Sequence, residues 1–290
     1  MTPPANYTIN VHGRLLSLAA PQVMGILNLT PDSFYAGSRK QTEREIADRS
    51  NQIVAEGASM IDVGAFSTRP SAPMVSEEEE MARLRHGLEI VLREQPQAVV
   101  SVDTFRPDVA RMAVEEYGVA IINDVSEGNV NGAFGGTSGS QSDPEVTDEA
   151  GYPAMFRMVS RLHVPYILMS VKPTVEEMLP AFAKEVQQLR DLGAADIILD
   201  PGFGFGKTVG QNFRLLRELD KLQVMGLPVL AGVSRKSMIY KTIGGTPDTS
   251  LNGTTVLHTM AVERGASILR VHDVKEAVEV CRLVTAGTED

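Results

Sequence analysis

Short apolar runs recur along the chain and are separated by longer amphipathic segments. The runs are nearly continuous in apolar and β-branched residues, instead of alternating apolar with polar residues. This pattern is typical of strands that are buried on both faces of a parallel sheet. The eight predicted strands are residues 23–27, 60–63, 98–102, 120–122, 166–169, 197–199, 229–233 and 268–271.

The segments between these runs carry apolar residues at helical spacing, as at Leu84, Leu88 and Val91. Eight strand–helix units in about 250 residues predict a (β/α)8 TIM barrel that forms a single domain over residues 1–290. An open doubly wound sheet is the alternative, because closure cannot be read from periodicity. Capping boxes predict three helix starts, at Thr42 with Glu45, Ser76 with Glu79, and Thr174 with Glu177.

Two segments lie outside this repeat. Residues 1–20 contain a predicted N-terminal β-hairpin, centred on residues 7–20. Residues 126–151 are rich in Gly, Ser, Asp and Asn, which predicts a long flexible loop after the fourth barrel strand. This loop is too short to form a separate domain.

Composition narrows the classes of function. The net charge of -10 argues against a nucleic-acid-binding surface, which needs a basic face. The single cysteine, Cys281, excludes an intramolecular disulfide and favours a reducing, cytoplasmic location. The sequence shows neither an export signal nor a long apolar membrane segment. The five histidines have no zinc-binding spacing.

The segment LDPGFGFGKT, residues 199–208, resembles a phosphate-binding loop only superficially. A Walker motif needs glycine at the position of Pro201, and two phenylalanines occupy the loop. We therefore predict a glycine-rich turn. Lys207 is expected to be either a solvated residue or a helix-start residue, with no phosphate role.

Polar residues end nearly all the predicted strands, where barrel active sites lie. Asp103, Asn123 and Asp200 have groups that can bind the N–H edge of a flat heterocycle. Lys236 and the pair Arg270 and His272, which period-two alternation puts on one face, supply charge for a phosphate ester. The polar strand ends are Asn28, Asp62, Asp103, Asn123, Asp124, Asp200, Ser234, Arg235, Lys236, Arg270 and His272.

Seven motifs in order resemble the signatures of the dihydropteroate synthase family, from about residue 22 to residue 275. They are GILNLTPDSF (25–34), IDVGAFSTRP (61–70), SVDT (101–104), INDVS (122–126), LDPGFGFGKT, GVSRKS (232–237) and LRVHDV (269–274). The resemblance implies condensation of 6-hydroxymethyl-7,8-dihydropterin diphosphate with p-aminobenzoate, with Mg²⁺ and release of diphosphate. It also implies a homodimer and inhibition by sulfonamides.

The same resemblance implies a role for each matching residue. Asp103, Lys236, Arg270 and His272 are the implied catalytic residues. The implied pterin-binding residues are Asp103, Asn123, Asp200, Lys236 and Met169. The implied p-aminobenzoate-binding residues are Phe34, Thr68, Pro70, Phe205 and Ser237. The implied diphosphate-binding residues are Asn28, Arg69, Arg270 and His272, with Asn28 also the metal ligand.

Two positions depart from the family pattern. Phe66 stands where a glutamate is common, and Ser170 lies in LMSVK where LMHM is usual. Three other functions are alternatives: a pterin-dependent methyltransferase, a class I aldolase with Lys236 as Schiff-base nucleophile, and a catalytically silent pterin-binding paralogue. The motifs TPDSF and STRP argue against the first, and the charged neighbours of Lys236 argue against the second. Asn28, Arg270 and His272 argue against the third.

Overall fold

The structure, a computed structural model, describes residues 7–29, 39–66, 75–128 and 151–287, with only the backbone given for residues 39–41. Most of the predicted loop 126–151 lies outside these residues. In the described part of the chain, no helix is both long enough and apolar enough to cross a membrane.

The predicted N-terminal hairpin is confirmed. Strands β1 (Thr8–Val11) and β2 (Arg14–Ser17) pair antiparallel. His12 and Gly13 join them with φ angles of 54° and 77°, as a two-residue type I′ turn requires. The Gly13 amide donates a hydrogen bond to Asn10 Oδ1 at 2.8 Å, which fixes the turn.

All eight predicted barrel strands are present and pair in parallel, in the order β8-β7-β6-β5-β4-β3-β10-β9. A parallel bridge between Leu199 and Val229 joins the two ends of this order and closes the barrel. The predicted TIM barrel is therefore confirmed. The strands are β3 (Gln22–Asn28), β4 (Met60–Gly64), β5 (Val99–Asp103), β6 (Ile121–Asp124), β7 (Tyr166–Met169), β8 (Ile197–Asp200), β9 (Leu230–Ala231) and β10 (Ile268–Val271).

Helices cover the outside of the barrel. They are α1 (Arg39–Ala55), α2 (Glu77–Glu94), α3 (Pro107–Tyr117), α4 (Ala154–Leu162), α5 (Val175–Asp191), α6 (Val209–Arg217), α7 (Ser237–Ile243), α8 (Leu251–Glu263) and α9 (Val274–Ala286). A 3-10 helix, Leu219–Met225, follows α6.

Two of the three predicted helix starts are confirmed. The side chains of Ser76 and Thr174 accept hydrogen bonds from the third residue of their helices. The prediction at Thr42 is wrong, because α1 begins at Arg39 and Thr42 lies inside its first turn. A full capping box that the sequence analysis missed, Thr208 with Gln211, starts α6.

The barrel interior has an apolar lower layer, which contains one residue from each strand. Side chains from the hairpin, Ile9, Val11 and Leu18, pack against this layer and cover the amino-terminal end of the barrel. The larger core lies between the strands and the surrounding helices. The lower layer consists of Met24, Met60, Val99, Ile121, Ile167, Ile198, Leu230 and Ile268.

Candidate active site

The next interior position of each barrel strand lies two residues after its lower-layer residue. Most side chains at these positions are polar. Because strand side chains alternate between faces, this upper layer points into the same interior as the lower layer. Contacts between strands that are not neighbours confirm the direction, since Asn123 of β6 binds Asp62 of β4. The upper layer contains Ile26, Asp62, Ser101, Asn123, Met169, Asp200, Gly232 and Arg270.

Arg270 is the centre of an ionic network in the upper layer. Its Nε donates to Asp62 Oδ2 at 2.6 Å, and one terminal nitrogen donates to Asp103 Oδ2 at 2.8 Å. Burial alone would lower the pKa of Arg270, but the two carboxylates outweigh it and raise that pKa. Arg270 is therefore a fixed cation. Its other terminal nitrogen makes no hydrogen bond to the described residues.

The same network leaves buried acceptors without donors. Asn123 donates from Nδ2 to Asp62 Oδ2 at 3.1 Å. Three oxygens, Asp62 Oδ1, Asp103 Oδ1 and Asn123 Oδ1, are buried and have no hydrogen-bond partner in the described part of the chain. Native proteins rarely leave such groups unpaired, so this set matches a ligand that carries several N–H donors.

Burial changes the charges at this end of the barrel. Desolvation raises the pKa of Asp103 to about 7, with Arg270 opposing the rise and Asp62 adding to it. Desolvation also raises the pKa of Asp200, against the opposing amide of Gly202. It lowers the pKa of Lys236 to about 8, although the neighbouring Asp200 carboxylate favours the charged form. A ligand that pairs with these groups removes part of this cost.

The predicted glycine-rich turn follows β8. Gly202, Gly204 and Gly206 all have positive φ, at 65°, 81° and 61°. Alternating glycines let the chain fold back tightly, and a Cβ on Gly202 would lie 2.3 Å from the Ser170 carbonyl oxygen. The amide of Gly202 also donates to Asp200 Oδ1 at 2.8 Å, which orients that carboxylate.

Lys236 and Phe205 meet above this turn. Lys236 donates from Nζ to the Phe203 carbonyl and lies 4.2 Å from the centroid of the Phe205 ring. This cation–π contact places the aromatic ring beside the charged residues at the top of the barrel interior. Ser237, the first residue of α7, follows Lys236 directly.

Of the two alternatives predicted for Lys207, the helix start is confirmed, because it directly precedes Thr208, the N-cap of α6, and the solvated side chain is wrong. Its ammonium donates to three backbone carbonyls, those of Ser170 at 3.1 Å, Gly202 at 3.0 Å and Phe205 at 3.3 Å. Burial lowers its pKa to about 8. Lys207 therefore links the turn after β8 to the end of β7 through hydrogen bonds. No phosphate role had been predicted, and its three donors are occupied by these carbonyls.

Two further predicted site residues, Asn28 and His272, lie at the rim. Asn28 is exposed, and the strand register places Asn28, Gly64 and Asp103 side by side. His272 follows β10, and its Nδ1 lies 3.0 Å from Ser234 Oγ. Burial and the nearby Arg270 lower the pKa of His272 to about 4, so the ring is neutral at pH 7. Phe34, Thr68, Arg69 and Pro70 lie outside the described residues.

Two polar strand-end residues face away from the interior. Asp124 is buried and accepts hydrogen bonds from the amides of Ser126 and Gly128 and from the Tyr166 hydroxyl. Arg235 forms a bidentate pair with Asp273, at 2.9 and 2.5 Å. Both hold loops in place, as a simple turn or capping role would predict.

Asp62 and Ser234 were predicted only as polar strand ends, and Glu127 was not predicted at all. The interior position of Asp62 could have been predicted, because it lies two residues after apolar Met60 on the same strand face. Glu127 had no local signal, because its carboxylate reaches the next loop and accepts from the Ser170 hydroxyl and the Val171 amide, both at 2.9 Å. This contact gives Ser170, one of the two departures, a partner in this chain.

Comparisons with known proteins identify the family of this chain. Residues 24–272 match the model of a family described as pterin binding enzyme. The dihydropteroate synthase of Escherichia coli strain K12 is 36% identical over 277 residues, which cover 94% of each chain. The chain belongs to the dihydropteroate synthase family. The predicted family and enzyme class, a transferase of folate biosynthesis, are thereby confirmed.

Solved structures of this family share the whole fold. The Xanthomonas albilineans dihydropteroate synthase with 4-aminobenzoic acid is 34% identical, with a TM-score of 0.83 over 98% of this chain and 99% of that one. A Yersinia pestis dihydropteroate synthase in complex with a sulfonamide drug is 30% identical, with a TM-score of 0.81 over 98% and 100%. The family's barrel therefore extends over nearly all of this chain.

Proposed function

We propose that this member of the dihydropteroate synthase family condenses 6-hydroxymethyl-7,8-dihydropterin diphosphate with p-aminobenzoate, giving 7,8-dihydropteroate and diphosphate. The supporting observation is the group of buried acceptors without donors, Asp62 Oδ1, Asp103 Oδ1 and Asn123 Oδ1. A pterin ring presents N–H donors along one edge, and these oxygens and Asp200 can accept from them.

The pterin ring is proposed to lie in the upper layer of the barrel. Asp103, Asn123 and Asp200 bind its polar edge, Lys236 binds from above, and Met169 contacts the ring face. Asp62 is proposed to accept from the same edge with its free Oδ1. It accepts from both Asn123 and Arg270 and so fixes the orientation of two binding side chains.

The leaving diphosphate is proposed to lie above the pterin, at the rim. The unused nitrogen of Arg270, the neutral imidazole of His272 and Arg69 supply donors and positive charge on this side. As the bond between the pterin methylene carbon and the diphosphate oxygen breaks, its electron pair leaves with the diphosphate. The buried carboxylates below stabilise the cationic pterin methylene that remains.

The rim also fits a magnesium ion held chiefly by the substrate. The described residues contain no group of three or more His, Cys, Asp or Glu side chains that could hold a metal by themselves. Mg²⁺ commonly uses one or two protein oxygens together with phosphate oxygens and water, and the exposed Asn28 amide beside Asp103 offers such an oxygen. When bound, the ion neutralises charge on the leaving diphosphate.

The p-aminobenzoate ring is proposed to contact Phe205, with Ser237 near its carboxylate and Phe34, Thr68 and Pro70 around it. The aniline nitrogen then forms the new bond to the methylene carbon and loses one proton. Because the carbon is already cationic, no strong general base is required. Sulfonamides, which resemble p-aminobenzoate in shape and charge, are expected to compete for the same place.

We also propose a homodimer and a cytoplasmic location. Ile243 at the end of α7 and Val256 on α8 are 56% and 51% exposed. The two helices pack closely at Gly253, where an added Cβ would lie 2.4 Å from Ile239. Apolar side chains exposed on adjoining helices favour an interface between two copies. Sedimentation of the parent and of an Ile243→Glu variant tests this proposal.

The direct test of function is diphosphate release from the pterin substrate with and without p-aminobenzoate. Release that depends on p-aminobenzoate supports the proposal. An absence of release from a folded protein that still binds hydroxymethylpterin would instead indicate the silent paralogue. Methyl transfer from a methylated pterin would indicate the methyltransferase.

The pterin site is tested separately by Asp200→Asn. This substitution replaces an acceptor oxygen with a donor and is expected to weaken pterin binding by about 1.5–3 kcal/mol. Calorimetric titration with hydroxymethylpterin measures the loss. Asp220→Asn is the matched control, because Asp220 is half exposed and pairs only with Arg264 at 3.5 Å among the described contacts. Equal affinity in the two variants would remove Asp200 from the site.

A further inference from the structure

The hydrogen bonds between Ser234 and His272 limit which ring nitrogen of His272 carries a proton. The backbone amide of His272 donates to Ser234 Oγ at 3.1 Å. The same Oγ lies 3.0 Å from His272 Nδ1. The two residues follow β9 and β10, which are neighbours in the barrel. They therefore form a closed pair of contacts at the rim, one through the backbone and one through the imidazole.

The direction of the second contact follows from the chemistry of a hydroxyl group. Ser234 is only 4% exposed, so its single proton needs an acceptor inside the protein. Among the described residues, His272 Nδ1 is the only acceptor within hydrogen-bond distance of that hydroxyl. Ser234 therefore donates to Nδ1, which must be unprotonated. In a neutral imidazole the proton then resides on Nε2.

The surroundings favour a neutral ring. Burial and the guanidinium groups of Arg270 and Arg235 disfavour imidazolium and lower the pKa of His272 to about 4. Asp273 opposes this effect, but its carboxylate is already bound in a bidentate pair with Arg235. The Nε2–H tautomer is thus the one form that satisfies both the Ser234 hydroxyl and the local charge.

The ring is also held from its backbone side. Arg49 of α1 donates to the His272 carbonyl at 2.7 Å, while Ser234 accepts from the His272 amide. Both backbone groups of the residue are thereby bound. His272 Nε2 makes no hydrogen bond to a described residue, so its proton is available to a ligand at the rim.

We propose that Ser234 is a positioning residue that holds His272 in the Nε2–H tautomer, so that Nε2 donates a hydrogen bond to the anionic leaving group. The inference rests on the diphosphate role of His272 proposed above. The other neutral tautomer would direct a lone pair from Nε2 at the diphosphate oxygens and would leave the Ser234 hydroxyl without an acceptor. Ser234 thus decides whether the imidazole attracts or repels the leaving group.

The tautomer is measured by two-bond ¹⁵N–¹H correlation spectra of protein labelled with ¹⁵N-histidine at pH 7.5. The chain has five histidines, so a His272→Gln variant assigns the signal. We expect the Nε2–H pattern in the parent and in Ser234→Thr, which retains the hydroxyl. Ser234→Ala should show a mixture of both tautomers. An Nδ1–H pattern in the parent, or an unchanged Nε2–H pattern in Ser234→Ala, would overturn the assignment.

The consequence for the leaving group is tested with inorganic diphosphate and Mg²⁺. Their addition should shift the Nε2–H signal of the parent. Ser234→Ala should bind diphosphate more weakly and lower kcat by about tenfold, the loss of one hydrogen bond to a charged group. Ser234→Thr should restore both values, while hydroxymethylpterin affinity stays unchanged in all variants.

Three other outcomes are distinguishable. An Nε2–H signal that diphosphate does not shift would refute donation to the leaving group. A uniform loss of pterin affinity and of thermal stability in Ser234→Ala would indicate a purely structural role and would also refute the proposal. Failure of the proposed function has a different signature, because the parent itself would then release no diphosphate from the pterin substrate.

Discussion

The two interior layers of the barrel differ sharply although they are built by the same strands. The lower layer is apolar, with residues such as Met60, Ile121 and Ile268. The upper layer holds Asp62, Asn123 and Arg270 at the next inward positions of the same three strands. Two strand residues advance about 7 Å. The apolar lower layer and the polar upper layer are therefore separated by only one pleat of each strand.

The difference shows how the barrel divides stability from chemistry. The lower layer and the hairpin that covers it bury apolar surface, which stabilises the fold. The upper layer and Asp103, at the next inward position of β5, bury carboxylates at a cost, as the raised pKa values of Asp103 and Asp200 indicate. Substitutions in the upper layer should therefore affect activity first, and those in the lower layer should affect stability first.

The largest effect is expected from Arg270→Ala. The resemblance assigns Arg270 to the diphosphate, but the structure also makes it the counter-ion of Asp62 and Asp103. We expect kcat/KM to fall by roughly a thousandfold, because two carboxylates lose their cation and the leaving group loses a donor. Pterin affinity should fall as well. Steady-state diphosphate release and pterin titration measure both losses.

Arg270→Lys is the matched control, since lysine retains the charge but lacks the planar guanidinium that binds two carboxylates at once. It should recover part of the pterin affinity and less of the turnover. Turnover in Arg270→Ala within threefold of the parent would contradict the assignment of the upper layer to catalysis.

The lower layer is tested by Ile9→Ala in the hairpin. Ile9 is 1% exposed and covers the end of the barrel, so its truncation should lower the free energy of unfolding by about 2–4 kcal/mol. The kcat value and pterin affinity measured well below the unfolding temperature should stay unchanged. Leu15→Ala on the exposed side of the same hairpin should change neither stability nor activity, as Leu15 is 74% exposed. A loss of activity in Ile9→Ala without a loss of stability would contradict the assignment of stability to the lower layer and of activity to the upper layer.

Asp103→Asn tests the cost of burying charge next to the upper layer, where Asp103 binds Arg270. The folded pKa of Asp103 is about 7, against an ordinary value near 3.8. Between pH 4 and 7 the folded state holds a proton that the unfolded state has lost, so this group's contribution to stability falls as pH rises. Relative to the parent, the Asn variant should therefore gain about 1–4 kcal/mol from pH 4 to pH 8.

Urea unfolding at several pH values in that window measures the difference. The variant should also lose pterin binding, because Asn presents a donor to the pterin edge. A stability difference between parent and variant that does not change with pH would contradict the raised pKa of Asp103.

The smallest effect is expected from Lys207→Met, which removes the ammonium that holds three carbonyls near Phe205. The KM for p-aminobenzoate should rise several-fold, equivalent to about 1 kcal/mol, while pterin affinity changes little. Lys221→Met is the control, because Lys221 is half exposed and forms only surface ion pairs with Glu176 and Glu218 among the described residues. An identical KM in both variants would show that Lys207 does not position the turn.

The fold could be predicted well because its signals are local. Each barrel strand is buried on both faces, which produces an apolar run that needs no knowledge of its neighbours. The prediction at 229–233 is the least accurate, since only Leu230–Ala231 forms a strand and Val229 adds a single bridge. The predicted helix start at Thr42 is wrong because its signal is too local. A capping signature describes four residues and cannot exclude an earlier helix start at Arg39.

The site could be predicted only as a set of residues, without their partners. Strand ends and motif order identified Asp103, Asn123 and Asp200, and the structure brings them together with Lys236 and Arg270. It could not be foreseen that Arg270 would bind Asp62, because their contact spans 208 positions in the chain. The same holds for Lys207, whose solvated appearance in sequence depended on not knowing where the Ser170 carbonyl lies.

The closure of the barrel has a consequence for how ligands and stability are linked. The seam between β8 and β9 consists of one bridge, Leu199 with Val229, beside much longer ladders elsewhere. Asp200 ends one side of this seam and Lys236 follows the other. A pterin that binds both residues links β8 to the segment after β9, across the seam of the barrel that has the fewest strand pairs. Amide hydrogens at Leu199 should consequently exchange more slowly once the ligand is bound, while those in β4 and β5 change far less.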